Sequence, residues 1–198
     1  MLLKFKFLLF HNNRKLFLDH TKLRQMASAN LTSNNELIQI DGSLLEGGGQ
    51  ILRISTALSV LLNKPIKVER IRAGRKDGGL KAQHLTGIRL LGEISKAKLS
   101  NDEIKSTELT FTPTCLNSGE FIADTKTAGS ITLLIQNSLP CLLFSKGESS
   151  LHLRGGTNTT HAPQIGIYFI FILLDIFVFM IKDVFVRFLS TGIHAVGK

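Results

Sequence analysis

Glu46-Gly47-Gly48-Gly49-Gln50-Ile51-Leu52-Arg53 is the stretch on which the reading of this chain turns. Upstream of it, Leu37-Ile38-Gln39-Ile40-Asp41 alternates apolar and polar residues, the period of a strand. Downstream, Ile51, Ile54, Leu58, Leu61 and Leu62 recur at helical spacing until Pro65 stops the run. The order is therefore strand, glycine loop, helix. Ile66 to Ile71 alternates again as a second strand, and Arg72-Ala73-Gly74-Arg75 opens a loop. A second helix is predicted from about Leu80 to Lys96, with Leu85, Ile88, Leu90, Leu91 and Ile94 as its apolar stripe and Gln83 and His84 near its start. Thr107 to Thr112 reads as a strand and Phe121 to Asp124 as a short partner.

Ala128-Gly129-Ser130 begins an apolar run to Phe144, and Ser150-Leu151-His152-Leu153-Arg154 alternates before Gly155-Gly156-Thr157-Asn158. Glycine loop, helix, strand and basic residue thus occur twice, from Gly49 to Arg72 and from Gly129 to Arg154, a repeat of about eighty residues. Successive units of this kind predict an α+β fold.

Composition divides the chain in three. Residues 1–30 carry six Lys or Arg against one Asp, residues 31–164 carry fifteen against twelve, and residues 165–198 carry three against two. More than half of the net charge of +9 therefore lies in the first segment, and the centre is too mildly basic for pI alone to argue a nucleic-acid partner. Four of thirteen phenylalanines fall in residues 1–30 and six beyond residue 164. Residues 1–36 read as a disordered or targeting-like extension, with Met26-Ala27-Ser28-Ala29 resembling an ordinary initiation site inside it. Residues 166–198 read as an apolar, Phe-rich divergent tail, foreign to the preceding domain. Ile165 to Ile181 is near the lower limit for crossing a bilayer, with Asp175 close to its middle, so membrane tethering ranks below a soluble reading. Cys115 and Cys141 lack metal spacing and are too few for a disulfide framework.

Glycines ahead of a helix let the backbone approach an anion while first-turn N–H groups donate to it. No Gly-Lys-Ser/Thr follows, so this is not the nucleotide-binding P-loop. Arg53, Arg72 and Arg75 stand beside two glycine loops and could cradle phosphate, because guanidinium holds phosphate oxygens in pairs and keeps its charge. Each arginine taken alone also fits a solvated surface charge, and the glycines also fit a tight turn. Glu46 could orient an arginine or bind a metal. His84, His152 and His161 show no metal-ligand spacing, and no Ser-His-Asp or Cys-His arrangement is readable.

Taken in order and spacing, Asp41-Gly42-Ser43, Glu46 through Arg53, Ile71 through Arg75, Gln83-His84-Leu85, Asp124 through Ser130 and Gly155 through Asn158 resemble the RNA 3'-terminal phosphate cyclase family. The resemblance covers about residues 37–165, the N-terminal part of such a protein. It implies repeated units, each a four-stranded sheet with two helices, followed by further repeats and a small inserted domain. It implies an ATP-dependent conversion of an RNA 3'-terminal phosphate to a 2',3'-cyclic phosphate through an adenylylated histidine, with ATP and a divalent metal such as Mg as cofactors. By the same resemblance, Arg53, Arg72, Arg75 and Gln83 bind the terminal phosphate, Glu46 and His84 support them, and Gln136 and Pro163 line the ATP pocket. The Glu46 to Arg53 block with Arg72 and Arg75 is similar to the catalytic branch, not to the branch that acts in ribosomal RNA processing.

No catalytic residue is assigned, because the family's nucleophilic histidine belongs to a later region and His194 has none of its context. The expectation is a chain truncated before the later repeats and inactive in cyclisation, since adenylyl transfer needs that nucleophile. The alternative is a non-catalytic protein that binds RNA 3' ends or serves ribosomal RNA processing. A nuclear or cytoplasmic location is expected ahead of a mitochondrial or membrane one.

Overall fold

The computed structural model describes residues 2–7, 36–44, 48–167 and 170. Its strands are β1 (Leu2–Phe7), β2 (Ile38–Asp41), β3 (Ile66–Glu69), β4 (Lys98–Ser100), β5 (Leu109–Thr112), β6 (Glu120–Asp124) and β7 (Ser149–Arg154). Its named helices are α1 (Gly49–Leu62), α2 (Ala82–Ser95) and α3 (Ile131–Leu143).

The first unit is β2-α1-β3-α2-β4-β5. Its strands form one four-stranded sheet in the order β2-β3-β5-β4, with β2 parallel to β3 and the other pairs antiparallel. Four strands and two helices are what the resemblance implies for one unit. The second unit repeats the opening: β6 lies parallel to β7, joined through α3 as β2 is joined to β3 through α1. β1 then pairs antiparallel with the free side of β7, from Leu2 opposite Arg154 to Phe7 opposite Ser149. It holds the place in the second sheet that β5 holds in the first.

Residues 2–7 thus differ from their reading as part of an extension ahead of the domain. The period-two alternation Leu3-Lys4-Phe5-Lys6-Phe7 is strand patterning, which a search for targeting signals overlooks. The rest of that extension up to residue 35, and the tail from residue 171, lie outside the described residues.

Contacts place α1 on β3 and β5 of the first sheet, and α2 and α3 on β6 and β7 of the second, while the three helices also pack on one another. The helices form a layer between two sheets. Their common core includes Leu52, Val68, Ile71, Ile88, Leu91, Phe111, Leu134 and Leu151. The apolar stripe expected on α2 is buried throughout.

On α1 the expected stripe is wrong in detail. Ile54, Leu58 and Leu62 are exposed, and the core face is Leu52, Thr56, Ala57, Ser59 and Val60. A helix that is apolar on nearly every side carries no usable phase in its sequence. Strand β3 is also shorter than read, because Arg70 and Arg72 both take left-handed backbone (φ 50° and 55°) and end the extended run at Glu69.

The two units share one further detail. After β2, the Asp41 carboxylate accepts from the Ser43 backbone N–H at 2.9 Å and pairs with Arg70. After β6, the Asp124 carboxylate accepts from the Lys126 N–H at 2.8 Å and faces Arg154 at 3.7 Å. Each carboxylate closes a turn upon itself and meets an arginine from the end of the neighbouring parallel strand. Their pKa values are lowered, that of Asp41 chiefly by the Ser43 hydroxyl, which donates to it at 2.6 Å, and then by the Ser43 N–H, and that of Asp124 chiefly by the Lys126 N–H.

Candidate functional site: an uncapped helix end among arginines

Helix α1 begins at Gly49 with Gly48 as its N-cap, and among the described residues no side chain accepts from its first turn, which holds no acidic residue. Its leading N–H groups therefore lack an intrahelical partner, and no acidic side chain of the described residues stands at the positive end of the helix dipole in its first turn. The corresponding end of α3 differs: the Ser130 hydroxyl accepts from the Thr132 N–H at 3.2 Å. Among the described residues, the second unit caps its helix with a side chain and the first does not.

Cationic and polar groups gather at the open end. A Cβ on Gly49 would collide with the His84 imidazole and come within 3.1 Å of Arg53 Nη1. Only glycine lets the chain start its helix this close to both. Arg75 Nη2 lies 4.0 Å from where a Cβ on Gly48 would sit. Arg53, half-buried one turn into α1, donates from Nε to Gln136 Oε1 on α3 at 3.1 Å, which fixes its guanidinium across the helix interface. Burial lowers the Arg53 pKa from the usual guanidinium value, yet the group stays charged.

Gln83 and His84 come from the first turn of α2. Gln83 Oε1 accepts from the Ser130 backbone N–H at 3.2 Å, so its amide nitrogen is the end left to donate. His84 Nδ1 accepts from the Lys81 backbone N–H at 3.3 Å, which puts the ring proton of the neutral imidazole on Nε2, the nitrogen aimed at Gly49. Burial first, then the charges of Arg72, Arg53 and Lys81, push its pKa down to about 4. At neutral pH the ring is an uncharged donor. Arg72 is held differently, its Nη1 donating to the carbonyls of Asp77 and Gly79 at 2.8 and 3.0 Å. It shapes the loop and lends its charge.

Arg53, Gln83 and His84 line one narrow crevice between the helices, together with Thr56 and Asn137. Arg75, on the exposed loop, approaches Gly48 at the helix start and does not line the crevice, and Glu46 lies outside the described residues. Of the pair expected at ATP, Gln136 meets Arg53 directly, whereas the Pro163 carbonyl accepts from Thr132 Oγ1 at 3.0 Å, one turn earlier on α3. Pro140 withholds the N–H that the Gln136 carbonyl would otherwise accept, freeing a backbone acceptor at that position. Among the described residues no group of three His, Cys, Asp or Glu side chains could hold a metal. None of their helices is long and apolar enough to cross a membrane. Lys81 escaped the sequence reading, although a basic residue just ahead of a helix that opens with Gln83-His84 was signal enough.

The His84 geometry gives a direct expectation. Its imidazole should titrate near pH 4 in the folded chain, followed by the ring-proton NMR shifts, and a midpoint near the ordinary value of 6.5 would refute the buried, arginine-flanked placement. Because the folded pKa lies below the unfolded one, the neutral ring's contribution to stability is complete above pH 6.5 and is lost as pH falls from there to about 4.

The family model for RNA 3'-terminal phosphate cyclase matches residues 44–197, well over half of the chain. The chain belongs to this family. Its match begins just ahead of the glycine run and continues through the segment read from composition as a divergent tail. Among relatives, the RNA 3'-terminal phosphate cyclase of Desulfurococcus amylolyticus is 50% identical over 129 residues, which are 65% of this chain and 36% of that protein. That of Ignicoccus hospitalis is 45% identical over 129 residues, again 65% and 36%. A Dictyostelium discoideum protein named "Probable RNA 3'-terminal phosphate cyclase" is 51% identical over 128 residues, 63% of this chain and 30% of the relative. This member of the cyclase family thus spans about a third of the length of the curated relatives it matches.

Proposed function

We propose that this chain carries the RNA 3'-phosphate-binding part of an ATP-dependent RNA 3'-terminal phosphate cyclase. The observation behind this reading is the open N-terminus of α1 set among Arg53, Arg75 and a neutral His84. A terminal phosphate is dianionic and rich in acceptors, and a helix end with guanidinium groups beside it offers donors in matching number. Arg53 and Arg75 hold phosphate oxygens and the first-turn N–H groups complete the cradle. The Gln83 amide and His84 Nε2 donate without adding charge, and Arg72 keeps the loop in place.

ATP supplies the adenylyl group that activates the phosphate for attack by the neighbouring ribose hydroxyl. In this reading Gln136, which accepts from Arg53 Nε, and Pro163 belong to the nucleotide side of the site. A divalent metal belongs to the same proposal, held by nucleotide phosphates and not by a carboxylate cluster of the described residues. A nuclear or cytoplasmic location is part of it too, read out by imaging the tagged chain.

The test compares RNA oligonucleotides that differ only at the 3' end. Fluorescence anisotropy should give tighter binding for the 3'-phosphate than for the 3'-hydroxyl by about tenfold or more, the size of one charge-assisted pair. Equal affinities would sink the reading. Labelled ATP added in parallel asks whether AMP becomes attached to the protein through an acid-labile bond, which would extend the proposal to the covalent step.

A further inference from the structure

The turn after β6 and the turn after β7 meet in a broad concave surface of about 540 Å³ lined by Asp124, Lys126, Thr127, Ala128, Arg154, Gly155 and Gly156. The Arg53 site does not account for this surface, yet the two adjoin through one loop. Ser130, which ends the β6 turn, donates its N–H to Gln83, and a Cβ on Gly129 would meet the Gln83 Cβ at 3.2 Å. The backbone from Thr127 to Ser130 therefore runs from the concave surface to the edge of the terminal-phosphate site.

The charges on that surface are unequal. Asp124 faces both Lys126 Nζ at 3.3 Å and Arg154 Nη1 at 3.7 Å, so one carboxylate is set against two cations. In the first unit Asp41 is instead bound tightly to Arg70. Lys126 and Arg154 are both exposed, at 81% and 63% of their side-chain surface, so their heads can turn to a ligand without leaving a core. Gly155 and Gly156 are packed beneath: a Cβ on Gly155 would come within 2.6 Å of the Gly129 carbonyl oxygen, and one on Gly156 within 2.9 Å of that of Ala128. Two adjacent residues without side chains hold the β7 turn flat against the β6 loop, and this leaves the surface concave.

We propose that Lys126 and Arg154 form a subsite for the RNA phosphodiester that precedes the terminal nucleotide, when the 3'-phosphate is held at Arg53, Arg75 and Gln83. This rests on the terminal-phosphate reading and adds the path of the strand: outward from α1, past Gln83, and along the Thr127–Ser130 loop to the second unit. The net single positive charge makes the subsite weak for a free anion and effective for a phosphate already tethered next to it. It also gives the internal repeat a function. One unit grips the end of the RNA, and the other, with its helix capped by Ser130, grips the backbone.

The experiment measures binding of a 3'-phosphorylated mononucleotide and a short 3'-phosphorylated oligoribonucleotide across a series of salt concentrations. The doubly substituted chain, Lys126→Ala with Arg154→Ala, should lose roughly fivefold of the oligonucleotide's advantage over the mononucleotide, in line with exposed charge contacts. Its log–log salt slope for the oligonucleotide should fall by about 0.7, the loss of one single-strand phosphate contact. Lys126→Ala alone, a change at a solvated side chain, should move both in the same direction by less. Asp124→Asn, which keeps the acceptor of the turn and removes the competing charge, should tighten the oligonucleotide only. An oligonucleotide advantage and slope that survive in the double variant, or an Asp124→Asn chain that binds both ligands as before, overturn the subsite while leaving the terminal-phosphate reading intact. A native chain indifferent to the 3'-phosphate on either ligand overturns both.

Discussion

Arg53→Ala should lower the proposed affinity for 3'-phosphorylated RNA by about 10- to 100-fold, corresponding to roughly 1.5 to 3 kcal/mol for hydrogen bonds to a charged group. The loss is large because Arg53 cannot be replaced by a neighbour. Its guanidinium is half-buried, pinned by Gln136 at 3.1 Å and set beside the uncapped start of α1, while Arg72 spends Nη1 on its own loop and Arg75 sits on an exposed one. Arg53→Lys should recover only part of the affinity, since a point charge cannot pair two oxygens while also donating to Gln136. Isothermal titration with 3'-phosphate and 3'-hydroxyl oligonucleotides reads the effect. An equal loss on both would mean that Arg53 acts as a general basic residue and would refute its assignment to the terminal phosphate.

Phe111→Ala should destabilise the chain by about 3 to 5 kcal/mol. Phe111 is fully buried at the centre of the first sheet, opposite Ile66 on one side and Leu99 on the other. Its removal leaves a cavity bounded by two strands and the helix layer, which cannot collapse without breaking a ladder. Against a total stability of typically 5 to 15 kcal/mol, this is enough to shift a urea midpoint far toward zero or to leave the chain partly unfolded in buffer. A midpoint equivalent to less than about 1 kcal/mol of loss would show that the first sheet is not packed as described.

Much of this architecture was legible in the residues. The repeat was readable because each unit announces itself with glycine ahead of a helix and a basic residue after a strand. The α2 face was readable because polar residues such as Arg89 and Glu93 interrupt an otherwise apolar turn at the right period. The core face of α1 was not, for the opposite reason. Strand β4 went unread because three residues show no period, and what makes Lys98–Ser100 a strand is its ladder with β5 and the packing of Leu99 over Gly92.

The site divides in the same way. Arg53, Gln83 and His84 were found from motif order, and the structure brings them together. That His84 is neutral follows only from its burial among Arg72, Arg53 and Lys81, none of which a linear reading can place in space. The bond from Ser130 to Gln83 joins residues 47 positions apart and likewise has no local signature.

The pairing of β1 with β7 also bears on how the molecule comes together. Leu2–Phe7 is the first strand of the described residues and its partner Ser149–Arg154 the last, so nearly all of the described chain lies between them. The first sheet can close from neighbours in sequence, while the second must wait for a loop that encloses nearly everything else, and closure of so long a loop is slow. Until Ser149–Arg154 has been made, Leu2–Phe7 lacks the strand it pairs with in the second sheet. Whatever shields it in that interval, whether a chaperone or the chain's own rapid elongation, sets how much of the protein reaches the second sheet intact.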